Sequence, residues 1–135
     1  MNAWDTTIYG NDAARDWIAE LYESVGWDLI DEVFAAVLEF WDDPLDSSVG
    51  EEALAAVDVV AWANGQPGRQ DDATDGLMEW IEEHEMEVDH EHMQLAHRVL
   101  ERVLSEPSEL RDHWVEAGEY DVWVKSVNEL RSRLD

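Results

Sequence analysis

A helical period returns seven times along this chain, five times closed by a glycine or proline stop. Asn11 or Asp12 can cap a first helix in which Ala13, Ala14, Trp17, Ile18, Leu21, Tyr22 and Val25 share one stripe, and Gly26 follows as the stop. Trp27, Ile30, Val33, Phe34, Val37, Leu38 and Trp41 form the next stripe, with Asp28, Asp31, Glu32 and Glu39 between them and Pro44 beyond. Ser48 and Glu51 have the spacing of a capping box for a third helix, where small residues cover much of the surface from Ala53 to Ala61. Such a helix is expected at the centre, where neighbours can approach it closely.

Asn64-Gly65 and Pro67-Gly68 end that helix, and a polar stretch leads to a short fourth one marked by Leu77, Trp80 and Ile81. After a break at Met86 to Asp89, Met93, Ala96, Val99, Leu100, Val103 and Leu104 phase a fifth, closed by Pro107. Ser108 can cap a sixth, carrying Leu110, Trp114 and Ala117 and ended by Gly118. Trp123, Val127, Leu130 and Leu134 define a seventh, with Arg131 and Arg133 suited to the negative end of its dipole. No strand pattern competes with these helices. The fold class expected is all-α: one domain over 1–135, an irregular bundle of six to seven helices. Residues 1–10 are expected as an extended arm pinned by Trp4, Ile8 and Tyr9, and 65–75 as a mobile loop.

Charge bounds the function. The chain carries 34 acidic against 8 basic residues, a formal net charge of -26, and Lys125 is its one lysine. A field of that sign repels nucleic acid and anionic membranes, so neither is expected as a partner. A solvated surface adapted to high salt is the first explanation of the acidity, a face complementary to a basic protein the second. Mimicry of a nucleic-acid phosphate array would need carboxylates along one edge, whereas here acids fall in every segment. With no cysteine, no basic and apolar leader and no membrane-length apolar run, the expected compartment is the cytoplasm.

The segment Glu82 to His92, followed by His97, gathers four of the 5 histidines among carboxylates. Imidazole and carboxylate suit a divalent transition metal, and Glu87 and His90 have the spacing that places two ligands on one helix face. The candidate ligands are His84, His90, His92, His97, Glu87 and Asp89. Against a metal, no second such pair faces the core from another helix, the HExxH pattern is missing, and His90 and His92 point about 200° apart on a helix. A solvated acidic junction is the preferred reading, with no cofactor. The tryptophans read as packing residues whose indole N–H groups find carbonyl or carboxylate acceptors. Trp4 and Trp27, at segment ends, are the candidates for the rim of a ligand groove. The serines and threonines are better explained as helix caps than as nucleophiles.

Two stretches carry a resemblance. AWDTTIYGNDAARDW near the start and SELRDHWVEAGEYDVWVKSVNELRSRL near the end resemble the family called domain of unknown function 4259. The specific parts are Trp4, Tyr9, Asn11, Asp12, Asp16 and Trp17, and then Ser108 to Leu134. The likeness implies one domain and brings no catalytic residues with it. The function expected is therefore a non-enzymatic protein-interaction or regulatory module, antitoxin-like or immunity-like, from a salt-adapted host, acting as a monomer or small homo-oligomer. The rivals are a small metal-binding protein or metal-dependent enzyme built on the histidine cluster, and a nucleic-acid mimic.

Overall fold

The computed structural model describes residues 5–39 and 42–134. They form seven α-helices: α1 Asp12–Leu21, α2 Asp28–Leu38, α3 Ser47–Ala63, α4 Leu77–Glu83, α5 His90–Leu104, α6 Glu109–Glu116 and α7 Tyr120–Ser132. A 3-10 turn at Asp72–Thr74 precedes α4. Among the described residues there is no strand, and the one extended pairing is an isolated parallel bridge between Leu45 and Ser108. None of these helices is long and apolar enough to cross a membrane.

The bundle is organised around α3. Every residue from Ala53 to Trp62 is buried, and α1, α2, α4, α5, α6 and α7 all pack on this helix. Small side chains make that possible. With Ala53, Ala55, Ala56 and Ala61 distributed around the helix, neighbouring axes can approach on every side. The central position expected from the alanine-rich sequence is the one it occupies.

The start of α3 differs from the expected Ser48–Glu51 box. Asp46 is the cap, accepting from the Ser48 N–H at 2.8 Å and the Val49 N–H at 3.3 Å. The reason lies just upstream, where Leu45 is held extended: its N–H donates to the Pro107 carbonyl and its own carbonyl accepts from Glu109 N–H. The chain can turn helical only after that clamp, which puts Asp46 at the cap and carries Glu51 into the interior. At the other end Gly65, with φ +81, lets the N–H of Gln66 reach the Ala61 carbonyl at 3.0 Å and close the helix.

Asn11 caps α1 through the Ala14 N–H at 2.7 Å, and Ala14, Trp17, Ile18 and Leu21 form its buried face. The stripe ends there. Val25 lies past the last turn and is 72% exposed, so it does not continue the apolar face as its spacing suggested. Ile30, Val33, Phe34 and Val37 bury one side of α2 against α3 and α5. Trp41, assigned to the same stripe, lies outside the described residues.

Asp89 caps α5 and Ser108 caps α6. Residues 5–10, the described part of the arm, form tight turns in which Gly10 N–H donates to Thr7 and Asp5 N–H to Gly10. These turns deliver Tyr9 to the core.

The register of α1 can be checked directly. Leu21→Ala, which empties a fully buried site, is expected to cost about 2–5 kcal/mol by urea denaturation. Val25→Ala is expected to stay within about 0.5 kcal/mol of the parent.

Candidate functional site

Within the apolar run of α3 one residue is charged. Asp58 is 2% exposed, and its position on a helix with no solvent face obliges the fold to supply partners. Arg133, just past the end of α7, does so with its Nη2 at 2.5 Å from Asp58 Oδ1. The hydroxyl of Tyr9 donates to Asp58 Oδ2 at 2.8 Å. Arg133 spends its remaining donors nearby, Nη1 on the Gln66 carbonyl at 3.1 Å and Nε on Glu129 at 3.0 Å.

Gly68 lies flat against that guanidinium. A Cβ there would come within 2.6 Å of Arg133 Cζ, so the absence of a side chain is what admits the arginine. Next to it, Arg15 donates from Nε to the Tyr9 carbonyl and from Nη2 to Asp71, both at 2.9 Å. Tyr22 donates to the Ala73 carbonyl at 2.6 Å. These bonds link the stretch 65–75 to α1 and to the end of α7.

Above this network opens a cleft of about 420 Å³. Asp58 and Arg133 form its floor, and Ile8, Tyr9, Arg69, Val122, Lys125 and Ser126 are among its walls. Burial shapes the titration of the floor. It raises Asp58 above the usual carboxylate range against the opposing pull of Arg133, and it raises the Tyr9 hydroxyl well above the ordinary tyrosine value. Tyr22 is pushed up to about 12 by burial as well.

A second buried carboxyl lies on the same helix. Glu51 is 4% exposed and faces a narrow gap among Asn11, Leu54, Leu110, Trp114 and Trp123. Desolvation raises its pKa to about 7.

The histidine segment is arranged differently. His84 ends α4, donates from Nδ1 to the Trp80 carbonyl at 2.8 Å and stacks on the Trp80 ring. Glu87 is exposed in the break before α5, and His90 is exposed at the first residue of that helix. His97 lies further along, beside Glu101 and Arg131. Of the six candidate ligands the fold brings together Asp89 and His92, and adds Asp31 from α2: each ring nitrogen of His92 lies 2.9 Å from one of the two carboxylates. Among the described residues no three such side chains are grouped so as to hold a metal ion.

Trp27 stacks on His92 with ring centroids 4.0 Å apart, while Trp4 lies outside the described residues. The expected indole acceptors are missing for Trp17, Trp62 and Trp80, whose N–H groups are buried without a partner among the described residues. Apolar contact around these large rings decides their placement, and their N–H groups follow it.

Fold and site together define a small all-helical domain with a central helix enclosed from Ala53 to Trp62 and a cleft where the N-terminal turns meet α7. By family, the chain belongs to the domain of unknown function DUF4259, whose model matches residues 2–126. No curated protein and no solved structure matches it. The matched span holds Tyr9, Asp58, Arg69 and Lys125, while Glu129 and Arg133 fall beyond it.

Asp58→Asn strands a buried guanidinium and is expected to cost about 3–5 kcal/mol by urea denaturation. Replacing the pair together, Asp58→Leu with Arg133→Met, is expected to cost less than either single change. Glu51 has its own signature. Because its folded pKa of about 7 exceeds its ordinary value of 4.5, the native state holds the extra proton between them, so this group's contribution to stability falls as pH rises through that window. Melting temperature recorded from pH 5 to 8 is expected to fall less steeply for Glu51→Gln than for the parent.

Proposed function

We propose that the domain is a non-catalytic interaction module, a small regulatory protein of antitoxin-like or immunity-like kind, which docks a protein partner over the cleft between the N-terminal turns and α7. The observation that carries this reading is the placement of scarce positive charge. Of the 8 basic residues in the chain, Arg69, Lys125 and Arg133 all line this cleft, on a body whose other surfaces are rich in carboxylates. Three bases beside the three acids Asp58, Asp71 and Glu129 make this a patch of balanced charge on an otherwise acidic body, which gives a partner both a steering cue and a register.

The floor supports the same reading. Tyr9, Asp58 and Arg133 are committed to one another, so the base of the cleft is held in place before any partner arrives and little order is lost on binding. Val122, 53% exposed, adds an apolar contact at the rim. Exposed acids elsewhere lie on α1, α2, α4, α5, α6 and α7 and so surround the body. That distribution suits a salt-adapted host better than it suits a carboxylate array copying one nucleic-acid edge.

Affinity capture from the native host tests the proposal. The parent protein is expected to recover one stoichiometric partner, and Arg69→Glu with Lys125→Glu to lose it while keeping the parent's melting curve. Equal recovery by both proteins, or no stoichiometric partner for the parent, overturns it.

A further inference from the structure

The cleft also says what kind of group it can accept. We propose that it takes the C-terminal residue of a partner chain, with the terminal carboxylate between Arg69 and Lys125 and an apolar last side chain against Ile8 and Val122. This rests on the reading of the cleft as the docking site and gives it a ligand chemistry.

Charge supplies the first argument. Each guanidinium nitrogen of Arg133 is engaged, by Asp58, Glu129 or Gln66, so this residue anchors the floor. Arg69 and Lys125 are different: both are exposed, and neither belongs to an ion pair among the described residues. A planar guanidinium fork matches the two oxygens of a carboxylate, and an ammonium beside it can take a third hydrogen bond.

The same walls limit the ligand to one negative charge. Asp58, Asp71 and Glu129 all line the cleft and are met by only two arginines, Arg133 answering both Asp58 and Glu129 and Arg15 answering Asp71. A doubly charged phosphate or a run of acidic residues would meet these carboxylates with no further cation to answer them. With Arg69 and Lys125 added, four bases face three acids, and the one positive charge left over is balanced by a single carboxylate.

Shape supplies the second argument. The cleft surface is mainly apolar, with Ile8 and Val122 in its lining, and its volume of about 420 Å³ lies in the range that takes a small ligand. A chain terminus puts a carboxylate and an apolar side chain on the same carbon atom. Cation and apolar wall can then be satisfied together.

The test uses the intact protein and the tripeptide acetyl-Ala-Gly-Leu with a free C-terminus, alongside the same peptide as its C-terminal amide. Binding is read from backbone amide shifts of Ile8, Val122 and Ser126 during titration. The free acid is expected to bind at least about tenfold more tightly than the amide, and Arg69→Gln with Lys125→Gln to remove that preference. Octanoate serves as a free acid with no peptide. No binding of the peptide, equal binding of acid and amide, or binding of octanoate without the peptide each overturns the proposal. Peptide binding without a host partner would sink the docking reading and leave this one standing. Loss of a host partner on charge reversal, without peptide binding, would do the reverse.

Discussion

One of the two carboxyls buried in the central helix, Asp58, sets much of the rest of the structure. Apolar area alone would let α3 sit among its neighbours in several rotational settings, because its surface is small and apolar nearly all round. Asp58 removes that freedom. Its charge must be answered inside the protein, and the answer comes from three separate places: the guanidinium of Arg133, the hydroxyl of Tyr9, and, through Arg133, the carbonyl of Gln66. One helix, both ends of the described chain and the loop after α3 are thereby fixed relative to one another. Removing either charge leaves the other stranded in a medium that cannot solvate it.

The helices were legible because each is written locally. Apolar spacing, a capping side chain and a glycine or proline stop lie within one segment, so α1, α5, α6 and α7 can be placed from their own residues. Readings failed where a distant contact took control. Nothing near Ser48 reveals that Leu45 is clamped between Pro107 and Glu109, yet that clamp moves the cap to Asp46 and turns Glu51 inward. Val25 keeps the spacing of the α1 stripe, but the helix has ended before it.

The cleft was missed for a related reason. Arg133 has a sufficient local explanation at the C-terminal end of a helix, and that explanation hid its contact with Asp58, 75 residues away in sequence. A signal was present all the same: Asp58 is the only charged residue between Ala53 and Ala63, and an acid inside such a run needs an arginine or lysine from elsewhere. The histidine segment shows the opposite relation between sequence and fold. Proximity in sequence suggested a group, and the turn at Met86 to Asp89 with the start of α5 sends its members to different surroundings.

Half of the 8 basic residues in this protein are spent on architecture. Arg102 donates to the carbonyls of Asp43 and Ser105, and Arg111 pairs with Glu106 and lies over the ring of Tyr120. Arg15 and Arg133 secure the walls and floor of the cleft. A chain with so few bases has little reserve: an acid lost from its surface is one among many, while an arginine lost from these positions leaves carbonyls or a buried carboxylate unanswered.

The cleft draws one wall from residues 7–9 and the other from residues 122–133. During synthesis Tyr9 emerges early, must wait for Asp58, 49 residues later, and then for Arg133 before the basin closes. At ribosomal speeds of about 5–20 residues per second that delay lasts several seconds, during which most of the helices can already form. A nascent or prematurely terminated product would therefore look helical yet lack the cleft, whose floor is complete only once Arg133 has been added.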